Sequence, residues 1–375
     1  MKPFDIALHL IGEQNIPNYI AIRHLDAKQH LLLATEKTAA IAKRLRYSLT
    51  EYDIKTQLIG DAFQMKSLIE VFSALRKNYE GKRIALNVTG GTKLMAIALL
   101  HVFTNMPNRE SFYIEAHERK ELVHITKNKV EPLKPCFETV RAFITLQSDD
   151  HLSRSKDIFP SETECSLAKA FRKYPHKEVQ HIVADFGALL QDKKKRTVIP
   201  EQKRIECEVK AFKLLDNSTE KTELQKLKDR LTQEDFWRFL AGKWFEIYTY
   251  SCLQNASCLR EKIRNLRLNV PLFFGETEDE KQEFDLLYTD GFHLYILECK
   301  CKWLIKQEDI QKLENLTQRY GGVFGRGVLI SAVEQTDQNI RERISSSRNI
   351  MLVDGARVER LVMALQQWRP GCFME

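Results

Sequence analysis

Short apolar runs alternate with longer stretches of helical spacing through the first third of the chain. Residues 4–11 (FDIALHLI) and 31–35 (LLLAT) are apolar runs that end in polar loops. After the second, EKTAAIAKRLRYSL places Ala39, Ile41, Ala42, Leu45 and Leu49 on one helical face. KTQLIG then reads as a strand, MKSLIEVFSALRKNY as a helix, RIALNV as a strand and KLMAIALLHVFTNM as a helix. Strands alternating with helices predict a doubly wound, mostly parallel α/β sheet. SFYIEAHERKELVHIT follows as a strand, a turn near 118–120 and a return strand. Arg119 and His124 therefore fall at two ends of a hairpin and cannot form a helical catalytic pair.

The pattern changes between 146 and 235. LQSDDHLSRSKD is polar and loop-like, and Ser161 with Glu164 forms a capping-box start for a helix ending in SLAKAFRKY. A second helix is expected in EVQHIVADFGALLQD, with Val179, Ile182, Val183, Phe186 and Leu190 on one face. The basic run Lys193-Lys194-Lys195-Arg196 follows, as a solvated linker or a nucleic-acid contact. Residues 204–210 then alternate as a strand would. Short helices with a small hairpin predict a winged-helix connector. Thr232 and Asp235 open a further helix, QEDFWRFLAGKWFEIYTYSCLQ, whose Phe236, Leu240, Trp244 and Ile247 face a core. Farther on, QEDIQKLENLTQR reads as an amphipathic helix stopped by Gly321-Gly322, and GVLIS and NIMLVDG as buried strands.

The strongest chemical pattern lies in QEFDLLYTDGFHLYILECKCKW, where two apolar runs flank Asp290-Gly291. Asp-Gly between alternating hydrophobic residues signals a two-residue hairpin turn. Such a turn sets Thr289 against Phe292, Glu283 against Glu298 and Asp285 against Ile296. Glu283, Asp285, Glu298 and Lys300 then share one face. Opposed carboxylates repel, so the pattern fits either a solvated charged face or a site for a divalent cation. Magnesium or manganese there would align a water with a phosphodiester, and Lys300 would orient or deprotonate that water or neutralise the oxyanion. Glu246, set among Trp244, Phe245, Ile247 and Tyr248, needs a cation nearby or a solvent-exposed helix edge. Cys299 and Cys301 point away from Lys300 and are read as core residues.

In a doubly wound sheet, ligands bind at the carboxyl ends of the strands. The loops there are 12–18 (GEQNIPN), 35–38 (TEKT) and 89–93 (TGGTK). In the last, two glycines, hydroxyls and a lysine open onto a helix, where bare backbone amides attract anions. The same glycines also suit a tight turn alone. The spacing matches neither a Walker loop nor a dinucleotide fingerprint.

The chain of 375 residues is too long for one core, so two or three domains are expected. No apolar run approaches the roughly 18 residues of a membrane span, and the N-terminal stretch reads as a first strand rather than an export signal. Eight cysteines without paired spacing then suit reduced thiols in the cytoplasm. The net charge of +7 is compatible with a polyanionic partner.

GEQNIPNYIAI, LLLATEKT and NVTGGTKLMA together resemble the CRISPR-associated Rossmann fold (CARF) sensor domain. GKWFEIYTY, QEFD and ILECK resemble the restriction-endonuclease-like PD-(D/E)XK nuclease core. Their order in one chain is similar to the CARF-nuclease effectors of type III CRISPR immunity. The resemblance implies a sensor domain over 1–145, a connector over 146–235 and a nuclease domain over 236–375. It implies a homodimer that binds a cyclic oligoadenylate, most often cyclic tetra-adenylate, and then cleaves DNA, RNA or both. On the family pattern Asp285 and Glu298 match metal ligands, with Glu283 as a further carboxylate beside them, Lys300 the catalytic lysine and Glu246 the helix acid. Phe284 stands where the motif's proline would be. Ligand contacts are expected from Gln14 and Asn15, from Thr35, and from Thr89, Gly90, Gly91, Thr92 and Lys93. The alternative is a ligand-controlled DNA-binding regulator that uses its connector as the winged helix.

Overall fold

A computed structural model describes residues 2–116, 118–152, 159–174, 176–195, 197–259, 262–273, 280–301 and 304–368. Arg196, Cys372 and most of the polar loop after Leu152 lie outside them.

The N-terminal part alternates as its pattern predicts: β1 (Ile6–Leu10), α1 (Ile16–His24), β2 (His30–Ala34), α2 (Ala39–Ser48), β3 (Ile54–Leu58), α3 (Met65–Asn78), β4 (Ile84–Asn87), α4 (Lys93–Phe103) and β5 (Arg109–Glu115). β6 (Glu121–His124) and β7 (Lys129–Pro132) add an antiparallel edge. Among the described residues the sheet order is β3-β2-β1-β4-β5-β6-β7, parallel as far as β5. The order reverses between β1 and β4, which opens a crevice at their carboxyl ends. The loop after β1 is shorter than expected: Ile16 already begins α1, with Pro17 in the first turn, where a missing N–H costs nothing.

Helix α5 (Val140–Gln147) and the two-residue β8 (His151–Leu152) lead into the connector. It consists of α6 (Glu162–Lys173), α7 (His176–Lys194), α8 (Glu201–Leu214), α9 (Ser218–Arg230) and α10 (Gln233–Arg238). Ser161 and Glu164 cap α6 reciprocally, as predicted. The winged-helix expectation fails here. Among the described residues 159–235 contain no hairpin, and residues 204–210 lie inside α8. Ile205, Cys207 and Val209 mimic strand alternation, but the buried set is Cys207, Ala211 and Leu214, which is helical spacing.

α11 (Trp244–Gln254) follows α10 across a wide turn in which Gly242 takes φ +141°. The C-terminal sheet comprises β8, β9 (Arg264–Phe273), β10 (Glu280–Thr289), β11 (Leu294–Lys300), β12 (Gly325–Ser331) and β13 (Ile350–Asp354). Among the described residues its order is β13-β12-β11-β10-β9-β8, with β11, β12 and β13 parallel. α12 (Gln307–Gly321) joins β11 to β12, α13 (Gln338–Ser345) joins β12 to β13, and α14 (Leu361–Gln366) follows.

The β10–β11 register corrects the two-residue turn. Thr289 pairs with Leu294 and Leu286 with Leu297, so four residues form the loop. The cause is Asp290, whose Oδ1 accepts the backbone N–H of Phe292 at 2.8 Å and of His293 at 2.7 Å. Gly291, at φ +92°, packs on Pro135, and its carbonyl accepts the N–H groups of Cys136 and Phe137.

Two cores sandwich the C-terminal sheet. On one side α11 and the connector helices pack on Leu286, Leu297 and Cys299. On the other, Ile310, Leu313 and Tyr320 of α12 join Leu294 and Ile296 in a core that continues through α5 into α1, α2 and β2. No helix among the described residues is long and apolar enough to cross a membrane.

Candidate functional site

The carboxyl end of β11 gathers charge from three directions. β11 itself supplies Glu298 and Lys300, with Lys300 Nζ 2.7 Å from Glu298 Oε1. Continued one residue past the Leu286–Leu297 pair, the register sets Asp285 level with Glu298. The Asp285 carboxylate accepts the backbone N–H of Cys299 at 2.7 Å. α11 brings Glu246 from one face of the sheet, and Asn269 of β9 donates its side-chain amide to it. α12 brings Asp309 and Lys312 from the other face. Asp309 Oδ1 lies 3.3 Å from Lys300 Nζ, and Lys312 Nζ lies 3.4 Å from Glu298 Oε1.

The expected facing of Glu283 and Glu298 does not occur. Glu283 pairs with Pro271 of β9 and is exposed at the cleft wall. A turn two residues longer moves every partner by two, which keeps each residue's face and brings Asp285, not Glu283, beside Glu298.

Glu246 and Asp285 are poorly compensated. Burial pushes the Glu246 carboxyl up to about 7, with Glu283 and Glu298 adding repulsion against the bond from Asn269 and the charge of Lys243. Burial, followed by the charges of Glu246 and Glu298, raises Asp285 well above the carboxylate range. Lys300 moves the other way. Burial alone would lower it, but Glu298, Asp309 and Asp285 carry it above its ordinary value. It is an ammonium at neutral pH.

A divalent cation fits this donor set. Half-buried carboxylate oxygens repel one another, and the Asn269 Oδ1 atom is buried without a partner. Asp285, Glu298 and Glu246 are the residues that could hold such an ion. Among the described residues no three acidic, imidazole or thiol side chains are already drawn into a ligand shell, which is consistent with that repulsion. A cleft of about 880 Å³ opens in front of the site. Its wall carries Lys193 and Lys194 from α7 together with Arg238, Lys243 and Lys300. The first two lysines of the basic run thus line the cleft, with Lys193 paired to Glu234 at 2.6 Å.

The second assembly lies at the β1/β4 crevice. Glycine is required at position 90, where a Cβ would stand 2.1 Å from the Leu10 carbonyl oxygen. Gly91 takes φ +71°, and a Cβ on Gly12 would meet its nitrogen at 2.8 Å. Thr92 caps α4, accepting the N–H of Met95 at 3.2 Å, and Lys93 is exposed. Thr35 and Thr38 bond each other across the second loop.

Not every expected contact faces outward. Asn15 is 1% exposed, and its amide donates to the carbonyls of Ile41 and Leu146, both at 3.0 Å. Thr89 Oγ1 donates to Asn87 Oδ1 at 2.6 Å and accepts the N–H of Ile114. Beneath the loop runs a buried polar chain that sequence reasoning missed. Asn87 donates to Asn18 Oδ1 at 2.9 Å and to His9 Nδ1 at 3.2 Å, and His9 Nε2 bonds His30 Nδ1 at 3.0 Å. Polar residues within buried strands were the available signal. Asn269, Asp309 and Lys312 carried none, since only tertiary packing brings them to the site.

A doubly wound sheet with a glycine loop at its switch point, followed by a mixed sheet with clustered acids and a lysine, defines a CARF-type sensor joined to an endonuclease fold. Residues 6–145 match the Card1 CARF domain, and residues 233–370 match the endonuclease domain of Card1-like proteins. The chain belongs with these CARF-endonuclease proteins. Can2 from Sulfobacillus thermosulfidooxidans, solved with cyclic tetra-adenylate, is 20% identical, with a TM-score of 0.72 and 97% of each chain covered. Protein VC1899 from Vibrio cholerae is 17% identical, with a TM-score of 0.76 and 97% of each chain covered. A type III CRISPR defence DNA nuclease activated by cyclic oligoadenylate is 15% identical, with a TM-score of 0.56, covering 99% of this chain and 53% of that one. No curated protein matches the chain.

Proposed function

We propose that this protein is a metal-dependent endonuclease switched on by a cyclic oligoadenylate, acting as a homodimer in antiviral defence. The observation that carries the reading is the convergence of Glu246, Asp285, Glu298 and Lys300 behind a basic cleft, in one chain with a CARF domain. Asp285 and Glu298 would hold magnesium or manganese, with Glu246 completing the set. Such an ion supplies an activated water and neutralises charge on the leaving oxygen. Lys300, protonated at neutral pH, orients the attacking water and stabilises the phosphorane oxyanion rather than acting as a base. Asn269 fixes the Glu246 carboxylate. Lys194, Arg238 and Lys243, which line the cleft, hold the phosphate backbone of DNA or RNA.

Cyclic tetra-adenylate, the ligand in the Can2 complex, is the proposed activator. Its phosphates would meet the backbone amides of Gly90, Gly91, Thr92 and Lys93 at the start of α4, with Gln14 and Thr35 on flanking loops. The described residues 159–235 form helices, which do not support the winged-helix form of the DNA-binding-regulator reading.

The test mixes the protein with supercoiled plasmid, single-stranded DNA and single-stranded RNA in manganese, with and without cyclic tetra-adenylate. Cleavage that needs the ligand and disappears in Glu298→Ala is expected. Ligand-dependent retention of duplex without cleavage would overturn the nuclease assignment.

A further inference from the structure

We propose that α12 is the link through which the sensor governs the active site, and that Lys312 on it is a brake. The inference rests on the nuclease reading above and assigns its regulation. Lys312 Nζ and Lys300 Nζ approach the same oxygen, Glu298 Oε1, at 3.4 and 2.7 Å. Glu298 is 4% exposed, and an oxygen that two ammonium groups cover is withheld from a divalent cation. Lys300 belongs to β11, as Glu298 does, whereas its other partner Asp309 sits on α12 with Lys312. When α12 moves, Lys300 stays beside Glu298 on their shared strand, so Lys312 is the cation that can leave.

The opposite end of α12 meets the first sensor loop and the segment just past α5 that leaves the sensor. Asp150, 7% exposed and just beyond α5, accepts Arg319 Nη2 at 2.6 Å and the Tyr320 hydroxyl at 2.9 Å. Gly322 ends the helix at φ +55°, and a Cβ there would stand 2.3 Å from Gln14 Oε1. The side chain of Gln14, in the first sensor loop, thus lies directly on the helix terminus. Its neighbour Asn15 ties that loop to α5 through the Leu146 carbonyl. At about 1.5 Å per residue, α12 spans roughly 15 Å between Lys312 and Gly322 as one stiff rod. Ligand binding that moves the first loop moves the rod, and Lys312 withdraws from Glu298. The ligand needs only to prefer the withdrawn state.

The experiment uses the full-length protein. Lys312→Ala is titrated with manganese by calorimetry in the absence of cyclic tetra-adenylate, and its ligand-free cleavage and ligand affinity are measured. Manganese binding about fivefold tighter than in the wild type is expected, the yield of releasing one partly exposed ion pair. Ligand-free cleavage should rise similarly, with ligand affinity unchanged. Asp150→Asn should bind ligand and manganese normally yet lose activation. Unchanged manganese affinity in Lys312→Ala, loss of its ligand-stimulated cleavage, or full activation of Asp150→Asn would overturn the proposal. A wild-type protein that never cleaves would refute the nuclease reading instead, and the calorimetry would still decide the role of Lys312.

Discussion

Replacing Glu246 with glutamine removes a charge that the metal-free fold must hold among other acids, while keeping the acceptor that Asn269 needs. The carboxyl titrates at about 7 against an ordinary 4.5. Holding it ionised at pH 8 therefore costs about 3 to 4 kcal/mol at most, at roughly 1.4 kcal/mol per pH unit. The sign follows from proton uptake. Between pH 4.5 and about 7 the folded state binds this proton and the unfolded chain releases it. Stability therefore falls as pH rises through that window, and the loss is complete above it. Glu246→Gln should melt several degrees above the wild type at pH 8 in EDTA. The advantage should shrink to about 1 kcal/mol or less at pH 5. Manganese should stabilise the wild type more than the variant, and the variant should cleave poorly with ligand present. Equal melting at pH 8 in EDTA, or an advantage independent of pH, would show that burial and the neighbouring acids do not penalise this charge as the geometry requires.

Two further predictions concern the sensor. Gly90→Ala pushes a Cβ against the Leu10 carbonyl and the Asn18 amide that bonds it, contacts that no rotamer relieves. It should cost about 2–4 kcal/mol and weaken ligand binding; wild-type melting and affinity together would clear position 90 of a role in loop placement. Burial holds the His30 imidazole down at about 4, so it stays neutral in the fold while the unfolded chain protonates near 6.5. Its contribution is complete above pH 6.5 and declines as pH falls toward 4, by about 2 kcal/mol at pH 5. His30→Asn should lose less stability between pH 7 and 5 than the wild type, measured by denaturant titration, and identical losses would refute this.

Periodicity made most of the fold legible, and the errors have physical causes. α8 was misread because Ile205, Cys207 and Val209 alternate while the face that is buried follows a helical period. β9 went unrecognised because Asn265, Asn269 and Pro271 interrupt its apolar positions, and both asparagines take positive φ. The turn at Asp290 was misjudged because a side-chain cap, invisible in composition, lengthens it. The site survived that error because the slip was even: a one-residue slip would have turned Asp285 away from Glu298. Asp150, Asp309 and Lys312 were not legible. Their partners lie on other elements, and nothing in the local sequence separates them from solvated charges.

The paired strands β10 and β11 explain why a sensor signal would be felt at the acids. Their loop end is pinned to the sensor: the Gly291 carbonyl takes the N–H groups of Cys136 and Phe137, and Gly291 abuts Pro135. Their other end carries Asp285, Glu298 and Lys300. The core beneath them runs unbroken from α1 and α2 through α5 to α12, and close-packed cores do not deform gradually. A change in the first sensor loop therefore cannot dissipate at a hinge between independent domains. It is expected to reach the acid cluster through β11 and α12, which both pack on that core.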